Sequence, residues 1–163
     1  MGCDIHPHIE FHRGTDDQGK ELWWEFCEPY LGRNYNLFGL MAGVRGFQKA
    51  IFEPRGVPEN ISWGVVDDYT LFITDDPKRM DHPGFCSLDD LRRWNGRLWN
   101  EHRAIHPDWH TPSWLTTYEF AQVVEQYNQI LKEVYPLAQA TLDLMQSLDR
   151  SGLKARLVFW FDN

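Results

Sequence analysis

The first dozen residues alternate without a break. Asp4, His6, His8, Glu10 and His12 occupy one parity, and Cys3, Ile5, Pro7, Ile9 and Phe11 the other. Side chains on a strand point to opposite faces with period two. The stretch therefore predicts a strand with one apolar face and one face of carboxylates and imidazoles. Residues 13–20 hold two glycines and two aspartates, which is turn chemistry. Residues 21–27 (Glu-Leu-Trp-Trp-Glu-Phe-Cys) then predict a second strand, closing a hairpin with a long loop.

Helical periodicity begins next. Asn34 is placed to cap a helix over residues 35–44, with Leu37, Phe38, Leu40 and Met41 as its apolar stripe. Gly39 and Gly43 weaken that helix or allow close backbone approach. Residues 65–73 predict a strand interrupted by Asp67 and Asp68, and the polar, prolyl residues 74–84 a loop. Ser87, followed by Asp89 and Asp90, predicts a helix running to about Glu101. Thr116 and Glu119 have the spacing of a capping box. They open a helix to about Tyr135, with Phe120, Val123, Val124, Tyr127, Ile130, Leu131 and Val134 as its stripe. Pro136 starts a second helix, with Leu137, Thr141, Leu144 and Leu148 inward, ended by Ser151-Gly152. Residues 153–163 are apolar on both parities at their centre, as a strand covered on both faces should be.

These elements predict an α+β fold. A small mixed or antiparallel sheet holds the first, second and last strands, and the two late helices pack on its apolar face. At 163 residues the chain predicts one domain, residues 1–163. The segment from about Thr74 to His106 is poor in small core residues and reads as an excursion covering the site.

Composition narrows the function. Aromatics make up 15% of the chain, with eight Trp, which argues against disorder. A net charge of −8 disfavours duplex nucleic acid as a partner but leaves room for a small anion held by a few arginines. Three scattered cysteines with no CxxC spacing predict reduced thiols and a cytoplasmic setting. No leader-like or long apolar run is present, so neither a signal peptide nor a transmembrane helix is expected, and no membrane partner. A homo-oligomer is compatible with all of this.

The polar face of the first strand carries the candidate chemistry. Alternate residues on one face stand about 7 Å apart. Two imidazoles reaching inward from His6 and His8 can then share one metal at about 2.0–2.1 Å, with Asp4 as a third ligand or as an orienting group. A solvated edge-strand face is the plainer alternative, and Pro7 suits an edge. His110, before a rigid Pro-Ser-Trp turn, is a candidate third ligand or catalytic acid–base. Asp162 becomes a second candidate if the last strand lies beside the first. Arg33 and Arg45 bracket the first helix, and Arg55 sits between Pro54 and Pro58. With Asn34 they are the candidate substrate-binding residues, set against the plainer reading of surface charge.

The chain also carries Met1-Gly2-Cys3-Asp4-Ile5-His6, Gly32-Arg33-Asn34-Tyr35-Asn36-Leu37-Phe38, Ala42-Gly43-Val44-Arg45, Pro54-Arg55-Gly56-Val57-Pro58, Ser113-Trp114-Leu115-Thr116 and Val158-Phe159-Trp160-Phe161-Asp162-Asn163. In these pieces it resembles a family of small proteins of bacteriophages, prophages and bacteria. The resemblance spans the chain. It implies a viral or prophage origin and a host-cytoplasm setting, and it brings no settled activity. The Asp-X-His-X-His opening is also similar to the first strand of metal-dependent amidohydrolases and of polymerase-and-histidinol-phosphatase-type phosphoesterases, in chemistry though not in fold.

The leading expectation is a hydrolase dependent on a divalent metal, zinc or manganese, acting on a phosphoester or nucleotide-like substrate. Asp4, His6 and His8 hold the metal, completed by His110 or Asp162. The alternative is a non-catalytic phage protein that sequesters a host nucleotide signal or docks on a host defence protein. A third reading keeps the metal but makes it structural.

Overall fold

The computed structural model describes residues 2–46 and 48–163. Met1, the first residue of the opening motif, lies outside the described residues. In chain order the elements are β1 (Ile5–Thr15), β2 (Glu21–Cys27), α1 (Tyr35–Ala42), α2 (Trp63–Tyr69), β3 (Thr70–Ile73), β4 (Phe85–Cys86) and α3 (Leu88–Arg93). They continue with β5 (Leu98–Asn100), β6 (Arg103–Ile105), β7 (His110–Thr116), α4 (Thr117–Leu131), α5 (Pro136–Arg150) and β8 (Ala155–Phe161). The fold is α+β. Two compact units are present: Met1–Ser62 with His110–Asn163, and Trp63–Trp109.

The larger unit is a four-stranded antiparallel sheet in the order β2-β1-β8-β7. The last strand therefore lies beside the first, from Ile5 opposite Phe161 to Phe11 opposite Ala155. All seven residues of β8 are buried, as its two-sided apolar pattern requires. Ala155, Leu157, Phe159 and Phe161 join Ile9 and Leu115 in the main core, against Leu37, Phe38 and Met41 of α1, Phe120, Val123 and Tyr127 of α4, and Ala138, Leu142 and Met145 of α5. The three helices thus cover one face of the sheet. The other face shows His6 opposite Trp160, His8 opposite Val158 and Glu10 opposite Arg156.

Local chemistry sets the helix ends. Asn34 accepts from the Leu37 amide at 3.1 Å, and Gly43, at φ 69°, closes α1 in the left-handed region. Gly39 lies against the following turn, where a Cβ would stand 3.1 Å from the Gly46 Cα. Thr116 and Glu119 form the expected capping box of α4. The buried face of α5 is Ala138, Thr141, Leu142, Met145 and Leu148. The face is turned slightly from the leucine spacing, so Leu137 and Leu144 flank it half-buried.

The smaller unit departs more from expectation. Residues 63–69 are helical, because Val65, Val66 and Tyr69 bury one helical face while Asp67 and Asp68 stay exposed. Only Thr70–Ile73 remains a strand. The helix opened by Ser87 stops at Arg93; Asn95 turns the backbone to φ 52°, and a side chain at Gly96 would collide with Leu91. The sheet here runs β4-β3-β6-β5 around Cys86, Leu91 and Ala104. Among the described residues no helix is long and apolar enough to cross a membrane.

One ion pair lies inside the larger sheet. Glu10 is fully buried and Arg156 nearly so. Arg156 Nε donates to Glu10 Oε2 at 2.7 Å and Nη2 to the Asn60 carbonyl at 3.3 Å, while the Ser62 amide donates to Glu10 Oε1 at 2.6 Å. The guanidinium lies 3.7 Å over the Trp23 ring and 6.0 Å from that of Trp114, whose ring also carries Arg55 at 3.9 Å. Cations and indoles thus alternate across the sheet, each close desolvated contact contributing about 1–2 kcal/mol. Burial pulls the Arg156 guanidinium below the ordinary arginine range, and Glu10 opposes that shift. Removing one partner strands the other charge. Glu10→Ala is therefore expected to cost about 3–5 kcal/mol in urea unfolding, and a Glu10→Leu/Arg156→Met double variant to recover most of it.

Candidate functional site

The β1–β8 register determines what meets at the end of the sheet. Because Ile5 pairs with Phe161, residues 4 and 162 continue the ladder. Asp162 N–H donates to the Asp4 carbonyl at 3.2 Å, and Asp4 N–H donates to Asp162 Oδ1 at 2.7 Å. The other carboxylate oxygen of Asp162 meets His6 Nε2 at 3.1 Å. His110 pairs with Phe161 from the other side of β8. A register shift between His110 and Ser113, with Thr111 at φ 49°, aims its ring at residue 162: His110 Nε2 is 3.2 Å from the Asp162 carbonyl and Nδ1 is 2.9 Å from Thr111 Oγ1.

Two arginines reach the same corner. Arg33 clasps Asp4 in a two-pronged bond, Nε to Oδ1 at 2.7 Å and Nη2 to Oδ2 at 2.5 Å. Arg45 Nη2 donates to Asn163 Oδ1 at 3.3 Å and makes no ion pair among the described residues. Burial pushes the nearby Cys3 thiol above its usual range, against the lowering effect of Arg45. Asp4, His6, His110, Asp162, Arg33 and Arg45 are therefore neighbours, although they come from five separate stretches of sequence.

His8 belongs to a second locus on the same face. It is buried, and its Nδ1 stands 2.6 Å from Glu25 Oε1. Glu25 faces Glu10 because the β1–β2 pairing shifts by one residue between Ile9 and Glu10. His8, Glu25 and Glu28 each bring one ligand-type atom to within 4.8 Å of the others. Atoms sharing one ion at about 2.0–2.2 Å lie up to about 4.4 Å apart, so this imidazole–carboxylate set fits a divalent cation with little movement. Trp160 links the two loci, stacking on the His6 ring at 6.0 Å and on the His8 ring at 4.8 Å.

The expected Asp4–His6–His8 ligand set is thus distributed: Asp4 to Arg33, His6 to Asp162, His8 to Glu25. Nothing in the sequence singles out Glu25 or Glu28. Glu25 shares parity with Trp23 on β2, but the register shift that carries it to His8 leaves no sequence signal. Asn34 caps α1 and donates from Nδ2 to the Tyr127 hydroxyl at 3.0 Å. Arg55 lies toward the other end of β7, bonded to both carboxylate oxygens of Glu119 and to the Trp114 carbonyl. It lines a cavity of about 610 Å³ with Trp23, Trp114, Lys154 and Arg156. Glu119 and Glu10 neutralise both arginines there, so this cavity is a braced corner of the fold more than an anion cradle. Burial raises Glu119, but hydrogen bonds from Arg55 and Thr116 outweigh it and hold the carboxyl below its ordinary value.

No protein-family model, curated protein or solved structure matches the chain.

The Arg33 hydrogen bonds hold the Asp4 carboxyl below its ordinary value of 3.8, ahead of the opposing effect of desolvation. A carboxylate lowered on folding contributes stability above its unfolded value, and that contribution is lost as pH falls through the folded one. Arg33→Gln should return the Asp4 titration toward 3.8, read by NMR of the carboxyl carbon, and should abolish this part of the acid dependence of stability.

Proposed function

We propose that this protein is a metal-dependent hydrolase acting on a phosphoester or nucleotide-like substrate, with a divalent cation, zinc or manganese, held by His8, Glu25 and Glu28. The supporting observation is the convergence of those three side chains within 4.8 Å, one of them a buried imidazole. Relative to the Asp4–His6–His8 expectation, the centre keeps His8 and moves toward β2. When bound, the cation supplies Lewis acidity and a water of lowered pKa.

The chain's own residues divide the rest of the work. His6 stands two residues along the same face, its side chain one-third exposed, with Nε2 oriented by Asp162 at 3.1 Å. An imidazole held this way by a carboxylate suits proton transfer to or from a substrate oxygen. His110 braces the same aspartate segment through the Asp162 carbonyl. Arg45, free of any ion pair among the described residues, is the guanidinium available to an anionic substrate group. Arg33 acts one step back by fixing Asp4. The phage or prophage origin and host-cytoplasm setting implied by the opening and closing motifs agree with a nucleotide-like substrate. In the non-catalytic alternative, the same corner holds its ligand and returns it intact.

Calorimetric titration with zinc and manganese, followed by a screen of phosphoesters and nucleotides, tests this. About one equivalent should bind. His8→Ala and Glu25→Gln should weaken binding by at least about tenfold, a cost that even outer-sphere partners carry. His6→Ala should keep the metal and lose about 10²–10⁴ in turnover. Binding that survives His8→Ala, or no binding at all, contradicts the proposed centre. Metal binding with every ligand returned intact favours sequestration.

A further inference from the structure

The two edges of the larger sheet are treated differently. The β7 edge contains Pro112 and is covered by a loop: Gly56 N–H donates to the Pro112 carbonyl at 3.0 Å and Arg55 N–H to Ser113 Oγ at 3.2 Å. Proline, a bulge and a covering loop are the usual ways of blocking an edge from further pairing. Among the described residues the β2 edge has neither proline nor a covering loop, and the register shifts in its pairing with β1, between Ile9 and Glu10 and between His12 and Gly14, are its only irregularities. Among the described residues, β2 makes backbone hydrogen bonds only with β1.

This open edge is also apolar. Leu22, Trp24 and Phe26 are 39%, 55% and 48% exposed, which is high for alternate large side chains on one strand. Phe11 meets the Trp24 and Phe26 rings edge-on at 6.4 and 6.2 Å, so the patch is continuous across two strands. Arg13 lies 4.3 Å over Trp24 and forms its polar rim.

We propose that the β2 edge is a two-fold interface with a second copy of this chain, joining two four-stranded sheets into one of eight. The sequence of β2 supports that occupant because it is self-complementary. Antiparallel pairing about an axis at Trp24 sets Leu22 of each copy opposite Phe26 of the other, Trp24 opposite Trp24, and Trp23 opposite Glu25. The opposed pairs are then aromatic–aliphatic, aromatic–aromatic and aromatic–acid, with Glu21 opposite Cys27 at the ends, and no like charges face each other. Moving the axis to Trp23 sets Glu21 against Glu25, and moving it to Glu25 sets that carboxylate against itself. The charges thus disfavour both neighbouring registers, and the axis at Trp24 pairs the most residues of the strand while setting the exposed Leu22, Trp24 and Phe26 against one another across the seam. An unrelated peptide strand would need only the apolar face; reversal symmetry on both faces is what an isologous partner requires. The interface does not depend on the metal centre, so either can fail alone.

Sedimentation velocity of the full chain across a wide concentration range, paired with hydrogen exchange, tests this. Wild type should reach twice the 19.3 kDa chain mass. Trp24→Lys and Phe26→Lys should weaken the dimer by about tenfold or more, the scale of losing one buried aromatic anchor, with unchanged circular dichroism. Tyr118→Lys, at an isolated α4 position that is 75% exposed, should leave it intact. Should the β2 variants unfold, the wild type alone decides: β2 amides must lose protection on dilution while β7 amides do not. Monomer mass at every concentration, open-ended assembly, or a dimer whose β2 exchange is indifferent to dilution would each overturn the proposal.

Discussion

The Glu10–Arg156 ion pair fixes the arrangement on which the rest of the larger unit depends. The two residues are directly opposite on β1 and β8, buried, and bonded at 2.7 Å. A one-residue slip of a strand turns every side chain to the other face. Here a slip would drive either Glu10 or Arg156 into the helix-covered core without its partner. An uncompensated buried charge is far more costly than any gain from sliding apolar residues, so the pair permits a single register. Trp23, Trp114 and Arg55 reinforce it by stacking from β2, β7 and the loop beyond α1.

The chemistry of the polar face follows from that register. With Glu10 opposite Arg156, His6 falls opposite Trp160, and residue 4 falls beside residue 162. The carboxylate of Asp162 then reaches His6 and the Asp4 amide together. Irregularities in the flanking strands do the remainder. The shift on the β2 side brings Glu25 to His8, and the shift on the β7 side brings His110 to Asp162. Regular pairing thus supplies the row of side chains, and the two bulges choose their partners.

Much of this was legible in the residues, wherever periodicity coincided with burial. The alternation of β1, the two-sided apolarity of β8 and the capping box of α4 all read correctly, because each is a local pattern with a local cause. Placing β8 beside β1, and so Asp162 near the histidines, needed only the expectation that a doubly apolar strand sits inside the sheet. Other features depended on tertiary context. Residues 65–69 look strand-like by composition, yet helical burial of Val65, Val66 and Tyr69 decides their state. Arg33 and Arg55 read equally as anion binders until Asp4 and Glu119 appear beside them. Glu25 had no distinguishing signal, since a one-residue shift in pairing brings it to His8.

The proposed cation lies with His8, Glu25 and Glu28 and not with Asp4 and His6. Anomalous scattering from a crystal grown with zinc and measured across the zinc edge locates the ion directly. One strong peak is expected within about 2.0–2.2 Å of a His8 ring nitrogen and the two glutamates. A peak bridging Asp4 and His6, or zinc scattered only over surface carboxylates, would contradict this placement.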